Sequence, residues 1–344
     1  MTGVPGWLGN RFLEILTYRG ELLPARIEIP DSKVKCLYLP GIEPAFFKSL
    51  SDQVEFVPGD ISDIDSLDNF FENAEGGTLF HLAGVIHPAK GVKQFYEVNV
   101  KGTQNLLVKA QQYKFRKVVI ISSSSPCGGN PSSEHRFTED SPFNPYMHYG
   151  KSKMLTERAV QRFQENFDLD ITILRGCWFF GPHQPSRQTK FFSMIKNGKF
   201  PLVGSGKNKR SLTYIDDLCQ AMLLCLVTRK SKNKTYWIAT EKAYSMLEII
   251  ATVENILKKD FGFTISCRQL QLPKFIGTLA RGIDYTLQHL GFYSSEFHVL
   301  SEMDQTIACS INLAKEELGY KPSVDLRGGM RMSVQWCLEQ GCNI

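Results

Sequence analysis

Tyr149 and Lys153 stand four residues apart, a spacing that sets a phenol and an ammonium one turn apart on the same face of a helix. Such a pair can move a proton. A free tyrosine, with a pKa of roughly 10, is a poor base near neutrality, and a neighbouring positive charge favours its phenolate. Upstream, the apolar run Val118–Ile121 ends in Ser122-Ser123-Ser124-Ser125. That places hydroxyls at the carboxyl end of a sheet strand, where open α/β sheets bind ligands. A serine there can hold a substrate oxygen while Tyr149 takes or returns its proton. Alone, a Tyr-x-x-x-Lys spacing is a frequent accident on amphipathic helices and a serine run is an ordinary turn. Together they point to chemistry.

A second group of residues points to a dinucleotide. Thr2-Gly3-Val4-Pro5-Gly6-Trp7-Leu8-Gly9 leads into Phe12-Leu13-Ile15-Leu16 at helical spacing. In a dinucleotide site the first glycine permits a tight turn and the second lets the backbone approach a pyrophosphate. The third packs helix against strand, while the helix N-terminus favours the phosphate charge. Gly3, Gly6 and Gly9, with Trp7 and Leu8 between them, are therefore candidate cofactor contacts. A nicotinamide bound there would add its positive charge beside Tyr149. The strand that should precede the loop is missing, which means either that the natural start lies upstream or that the sheet lacks its central strand. The end of the second strand, Leu39-Pro40-Gly41, carries neither the acid that suits the ribose of NAD nor the arginine that suits NADP, so both cofactors stay open. Asp60, in Gly59-Asp60-Ile61, is either an adenine contact or a plain loop aspartate.

The elements that must position these groups follow from periodicity. Apolar runs at Val34–Leu39, Val54–Val57, Leu79–Ala83, Val118–Ile121 and Ile171–Leu174 alternate with helical patterns, notably Asn99–Gln111 and Lys151–Phe167. Strands buried on both faces and separated by helices predict an α/β fold with a doubly wound parallel sheet of Rossmann type, its first strand truncated. After Arg175 the rhythm breaks into a loop at Gly181–Pro185, a helix at Phe191–Lys199, a turn-rich stretch to Thr213 and a strand at Thr235–Ala239 that rejoins the sheet. Tyr244–Ile344 reads as helices with one strand. Residues 1–175 plus about 213–240 are thus expected to form the dinucleotide-binding domain. Residues 176–212 plus 241–344 form a smaller, mostly helical substrate lobe.

Composition narrows the classes. With 344 residues, 42% hydrophobic and 22% charged, the chain is neither collagen-like, low-complexity nor disordered. A net charge of +5 suits an anionic small ligand and does not mark a nucleic-acid protein. Nine cysteines without a Cys-x-x-Cys pair read as reduced core residues of a cytosolic protein, not a disulfide frame or a metal site. No signal peptide or run long enough for a membrane span is evident, giving a cytoplasmic expectation. Lys274–Leu290 is amphipathic, yet Lys274, Arg281 and Asp284 within it predict surface packing rather than membrane contact.

In order and spacing these motifs resemble the extended short-chain dehydrogenase/reductase family, the epimerase/dehydratase superfamily. The match runs through the glycine loop, Gly59-Asp60-Ile61, His81-Leu82-Ala83-Gly84, Asn99-Val100-x-Gly102-Thr103, the serine run, Tyr149-x-x-x-Lys153 and Leu174-Arg175. It continues through Phe180-Gly181-Pro182, Tyr214-Ile215-Asp216-Asp217, Glu317-Leu318-Gly319-Tyr320-x-Pro322 and Trp336. The resemblance implies a tightly held NAD or NADP, Tyr149 as acid/base, and Lys153 orienting the ribose and tuning Tyr149. The catalytic serine is Ser123, with Ser124 second, depending on whether Gly128 or Gly129 matches the following glycine. The implied cofactor contacts extend to Asp60, Ile61, Leu82, Ala83, Gly84, Asn99, Ser122, Gly176 and Trp178. Val85, Arg187 and Arg210 fall on the substrate side. Helices at 99–111 and 151–167 match ones that pair into a homodimer interface.

Substrate class divides the readings. Nucleotide-sugar members of the family carry Arg-x-x-Asn-x-Tyr-Gly-Pro, whereas this chain has Arg175-Gly176-Cys177-Trp178-Phe179-Phe180-Gly181-Pro182, with Trp178 in place of the Asn. Tyr236-Trp237-Ile238-Ala239, Leu272-Pro273 and Ile311-Asn312-x-Ala314-Lys315 are similar to the 3β-hydroxysteroid dehydrogenase-like branch, which acts on secondary alcohols of apolar substrates. Arg210, beside Lys207 and Lys209, is either a diphosphate clamp or part of a solvated basic loop; together with Arg187 it keeps an anionic substrate open. The leading expectation is an NAD(P)-dependent oxidoreductase acting at a secondary alcohol or ketone, with Tyr149 as acid/base. The alternatives are a nucleotide-sugar epimerase or dehydratase using the same site, and a non-catalytic cofactor-binding module. The missing first strand supports that last reading and the intact Tyr149 and Lys153 oppose it.

Overall fold

A computed structural model describes residues 1–23, 27, 29, 33–42, 54–266 and 268–344. Cys267 and much of the polar stretch between Arg19 and Lys33 lie outside these residues. Helix α1 (Trp7–Thr17) follows the glycine loop and buries Leu8, Phe12, Leu13 and Ile15, the spacing expected of a helix with one apolar face. Strands β1 (Val34–Tyr38) and β2 (Val54–Pro58), a single turn α2 (Asp68–Phe71) and β3 (Thr78–His81) come next. A wide π-type turn, Phe95–Gly102, continues without interruption into α3 (Thr103–Gln112). The helix therefore starts four residues before the predicted Asn99, because buried Phe95 extends the apolar face. Strand β4 (Lys117–Ser123), helix α4 (Met147–Asn166) and strand β5 (Asp170–Gly176) complete the first half. Their apolar cores were legible; the strands run one or two residues beyond the predicted bounds at each end, and α4 starts four residues early and ends one residue short of Phe167.

After β5 the chain leaves the sheet. Strand β6 (Trp178–Phe180), helix α5 (Ser186–Lys196), short strands β7 (Leu202–Val203), β8 (Lys209–Arg210) and β9 (Leu212–Tyr214), and helix α6 (Ile215–Val227) precede β10 (Thr235–Ile238). The remainder comprises β11 (Tyr244–Ser245), α7 (Met246–Asn255), β12 (Gln271–Leu272), α8 (Lys274–His289), α9 (Ser295–Glu302) and α10 (Leu326–Glu339).

The main sheet is parallel, with β10 beside β5, then β4, then β3, and with β1 beside β2. Thr2 joins the two groups by a parallel bridge to Leu37 on one side and His81 on the other. Its N–H donates to Phe80 O at 3.0 Å, and Met1 O accepts from Leu37 N at 2.9 Å. Residues 1–3 thus fill one rung of the central position, and the order β2-β1-Thr2-β3-β4-β5-β10 is that of a doubly wound Rossmann-type sheet. Its carboxyl edge receives Gly3, Leu82 and Ser123 together.

One core lies between the sheet and the pair α1/α6, where Phe12, Leu13, Leu218, Met222 and Tyr236 are fully buried. Each such side chain contributes about 1.5–3 kcal/mol by leaving water. Arg11 ties the two helices through Asp216, at 2.6 and 2.9 Å. Ile311, Ala314, Leu318 and Tyr320, expected in the lobe, belong to this same core, and Tyr320 Oη donates to Ala239 O at 2.9 Å. A second core, among α5, α7 and α10, is built from Phe192, Ile195, Ile249, Val253, Met330 and Val334. Among the described residues no group of His, Cys, Asp and Glu side chains is placed to hold a metal, and no helix is long and apolar enough to cross a membrane.

Candidate functional site

The glycine loop closes on itself around one carbonyl. Gly6 N donates to Gly3 O at 2.8 Å. A Cβ added at Gly6 would lie 2.8 Å from that oxygen, and one at Gly9 only 2.1 Å from it. Gly3 has φ +94° and its Cβ would strike Leu82 and Ala83 at 2.8–2.9 Å, so L side chains are excluded at all three positions. What this leaves is a bare backbone cradle at the N-terminus of α1, the arrangement that accepts a pyrophosphate. The side chain of Trp7 turns aside, its indole donating to Pro182 O, while Leu8 is buried in the core.

Thr2 links the cradle to the next loop. Its Oγ1 accepts from Leu82 N (3.2 Å) and Ala83 N (3.1 Å) and lies 2.9 Å from His81 Nδ1. His81 Nε2 lies 2.9 Å from Thr103 Oγ1. Burial, reinforced by the charge of Lys153, pulls the His81 pKa down to about 3, so the ring is neutral and can accept at one nitrogen and donate at the other. The exposed Gly84 follows. Asn99, read in the sequence as a cofactor contact, has its amide committed elsewhere. Its Oδ1 accepts from Val85 N at 2.7 Å, while Nδ2 donates to Val85 O at 3.0 Å and Ser152 Oγ at 3.1 Å. It is a positioning residue, and Val85, expected on the substrate side, is the segment it holds. Asp60 caps a turn, Oδ1 accepting from Ser62 N and Oγ at 2.8 and 2.7 Å. Beside it, Ile61 is buried against Gly102.

The candidate acid/base residues converge from two elements. Ser123 ends β4 and Tyr149 stands in the first turn of α4. The Ser123 hydroxyl adjoins the Tyr149 phenol, whose pKa it lowers, and lies 3.0 Å from Ser125 Oγ. Of the two candidate serines it is therefore Ser123 that meets Tyr149; Ser124 contributes its N–H to Gly176 O at 3.0 Å. Ser122, expected at the cofactor, points to the opposite side of the strand and donates to Glu157 Oε1 at 2.5 Å, because neighbouring strand residues face opposite ways. Glu157 is held in turn by a buried fork from Arg175, at 2.7 and 3.2 Å.

Lys153 is buried and donates from Nζ to Ile121 O at 2.8 Å. Burial pulls its pKa down to about 8, against the opposing charge of Glu157. Burial likewise raises the Tyr149 phenol, as does the negative charge of Glu302, whereas the Ser123 hydroxyl and the positive charge of Arg187 lower it. Arg187, from the start of α5, puts a positive charge near Tyr149, and Lys153 donates to the strand carbonyl of Ile121.

The far wall was not readable as a motif. Phe95 packs its ring 5.7 Å from that of Tyr149 and 5.6 Å from that of Tyr293. Tyr293 Oη lies 2.9 Å from His87 Nδ1, and burial with the nearby Arg187 charge pulls His87 down to about 4. Arg210 uses Nη2 on Glu302 O, but its buried Nε has no partner. Arg187 is exposed and forms no ion pair among the described residues. Trp178, expected at the cofactor, instead lays its ring edge-on to Phe191 at 5.2 Å in the lobe core, since β6 has left the sheet to pair with β9. The neighbouring Gly176 is closed by the Phe179 ring, which a Cβ would meet at 2.4 Å.

A glycine cradle, a hydroxyl-bearing strand end and a helix-borne tyrosine at one sheet edge define a class that comparison makes specific. The chain belongs to the NAD dependent epimerase/dehydratase family, whose profile matches residues 1–239. It is 43% identical over 350 residues to the uncharacterized protein y4nL of Sinorhizobium fredii, covering 99% of this chain and 95% of that protein. Among solved structures, DesIV, a dTDP-glucose 4,6-dehydratase of Streptomyces venezuelae crystallised with NAD, superposes with a TM-score of 0.75 at 24% identity over 98% of this chain and 96% of that one. The UDP-glucose 4-epimerase of Thermotoga maritima, crystallised with UDP-glucose, gives 0.75 at 19% identity over 98% of both chains.

Proposed function

We propose that this protein is an NAD-dependent enzyme that oxidises a secondary hydroxyl of a sugar carried on an anionic diphosphate and returns the hydride within the same turnover, as an epimerase does. The observation that carries this reading is a pair of arginines, Arg187 near Tyr149 and Arg210 beside Glu302, whose own charge also acts on Tyr149. Arg187 acts on the phenol directly, and Arg210 presents a buried, unpartnered Nε beside Glu302. An apolar alcohol would leave the buried Arg210 Nε uncompensated, whereas a diphosphate can accept from it and from the exposed Arg187. Family membership and the nucleotide-sugar enzymes among the structural neighbours support the same substrate class.

In this reading the backbone around Gly3, Gly6 and Gly9 holds the NAD pyrophosphate at the N-terminus of α1, and the loop Leu82–Gly84 lies alongside. Family identity, with no arginine at Leu39-Pro40-Gly41 to meet a ribose phosphate, favours NAD over NADP. When bound, NAD accepts a hydride and gives it back. Ser123 holds the substrate oxygen, and the Tyr149 phenolate takes the hydroxyl proton as the carbonyl forms and returns it when the carbonyl is reduced. Lys153 keeps the Ile121 carbonyl, and with it the strand end, in place.

Net oxidation of an apolar secondary alcohol is the second reading, and Trp178 in the place of the family's Asn favours it. Thermal-shift measurements separate the two. UDP- or dTDP-sugars should raise the melting temperature of the NAD-loaded protein and a sterol should not. Indifference to every nucleotide sugar, with turnover of a sterol, would overturn the proposal. Tyr149→Phe should retain NAD-induced stabilisation and lose turnover.

A further inference from the structure

Helix α8 wears its amphipathic pattern inside out. Gly277, Ala280, Asp284 and Gln288 face the protein. Asp284 is fully buried; it accepts from Tyr146 Oη at 2.9 Å and Gln288 Nε2 at 2.8 Å, and lies 3.0 Å from His298 Nδ1. Arg281 is drawn the same way by Asp304, at 2.8 Å. The opposite side meets solvent. Phe275 is 64% exposed, Leu279 and Tyr285 more than half, and just past the helix Leu290 is 67% and Phe292 64% exposed. A shallow trough of about 700 Å³, floored by Phe275, Leu279, Ile283 and Leu287, runs along this side. Burying the carboxylate while displaying the aromatic side chains reverses the usual sorting, and a contiguous apolar patch of this kind marks an interaction surface. Arg281 and Asp284, from which surface packing is expected, both point inward, so they leave the outer face apolar.

We propose that this face docks onto an anionic membrane surface, with α8 lying in the plane of the interface. Charge selects a membrane as the occupant. Exposed Lys274 opens the helix and shares with exposed Lys207 a separate polar hollow at that end, which Glu134 and Asp304 also line, each paired with another cation. At the far end exposed Lys90 and Lys93 flank Val92, whose N–H donates to Gly291 O at 3.2 Å. Among the described residues none of these four lysines forms an ion pair, and Glu296 near that end is held by Ser294 at 2.9 Å. An apolar and aromatic stripe with free lysines at both ends matches lipid tails bordered by phosphate headgroups, and sixteen residues lie along a bilayer rather than across it. The patch is also continuous with the candidate site. Tyr293, adjoining Phe292, meets His87 and Phe95, and Phe95 meets Tyr149. This inference goes beyond the reaction and does not depend on it.

The test is flotation of the purified protein with vesicles of equal parts phosphatidylcholine and phosphatidylglycerol, and with phosphatidylcholine alone. The wild-type protein should float with the anionic vesicles, float less with the neutral ones, and be released by salt. Phe275→Ser/Leu279→Ser should lower partitioning about tenfold or more, and Lys90→Glu/Lys93→Glu should remove the preference for anionic lipid. Circular dichroism should show both variants folded, since every altered side chain is exposed. As a readout independent of loss, Phe292→Trp should add fluorescence that brominated lipid quenches. Wild-type protein left unfloated, Phe275→Ser/Leu279→Ser floating like wild type, or an unquenched Phe292→Trp would overturn the proposal. So would a wild-type dimer in sedimentation equilibrium that Phe275→Ser/Leu279→Ser turns into a monomer, which would assign the face to a second copy of the chain.

Discussion

Asn99 grips Val85 from both sides, accepting from its N–H at 2.7 Å and donating to its C=O at 3.0 Å. A third bond, to Ser152 Oγ at 3.1 Å, anchors the same amide to α4, next to Lys153 and three residues after Tyr149. One buried side chain therefore fixes the spacing between the loop Leu82–Val85 and helix α4. Asn99→Leu keeps the volume but strands the Val85 N–H and C=O and removes a donor to Ser152 Oγ, so urea denaturation should show a loss of about 1–3 kcal/mol. NAD affinity should fall with it, because the loop Leu82–Val85 loses its tether. Full retention of both would remove Asn99 from the positioning role.

The charges around Tyr149 predict a pH series with a sign for each member. Ser123 and Arg187 lower the phenol, and Glu302 raises it. Ser123→Ala and Arg187→Gln should therefore move the ionisation of Tyr149 upward in an ultraviolet difference titration against Tyr149→Phe, and Glu302→Gln should move it downward. The acid-side limb of activity should move with it, and Ser123→Ala should cost about 10²-fold or more in rate. Shifts of the same sign in Arg187→Gln and Glu302→Gln would contradict the electrostatic assignment.

Local spacing carried much of this site. Gly3, Gly6 and Gly9, the pair Tyr149 and Lys153, and the serine run all lie within single turns or loops, so their residue types and intervals state the geometry directly. The strand cores were legible for the same reason. Ser122 was readable in principle: in a strand of alternating faces, only one of Ser122 and Ser123 can point to the cleft. The inward turn of Arg281 and Asp284 was also available, from the helical period that aligns residues 277, 280, 284 and 288. What no local pattern could supply is the far wall, since His87 and Tyr293 meet across 206 positions of sequence. Nor could it show that β6 departs from the sheet and carries Trp178 into the lobe core.

The fork between Arg175 and Glu157 is buried on both sides and shares its carboxylate with Ser122. Removing one partner leaves an uncompensated charge, so Glu157→Gln should destabilise the protein by about 3–5 kcal/mol in chemical denaturation. The double replacement Glu157→Leu/Arg175→Met, which removes both charges, should recover most of that loss. A double variant as unstable as the single one would show that shape, not charge, is what this pair provides.

Lys153 should be the opposite case, a residue that costs stability. Its folded pKa, about 8, lies below the roughly 10.4 of an unfolded lysine. Between those values the unfolded chain binds the proton and the folded chain does not, so stability should rise as pH climbs from about 8 towards the ordinary lysine range. Below about 8 both states are charged and the folded state bears the full burial cost, worth about 3 kcal/mol for the difference in pKa. Lys153→Met keeps the stem and removes the charge. It forfeits one hydrogen bond to Ile121 O, about 1 kcal/mol, and should still leave the cofactor-free protein more stable at neutral pH and flatten the alkaline rise, while abolishing turnover. Urea denaturation of both proteins at neutral pH and near pH 10 measures the slope. A Lys153→Met protein that is less stable than wild type at neutral pH, or whose stability still climbs with pH, would mean that the buried ammonium is compensated by partners other than Glu157.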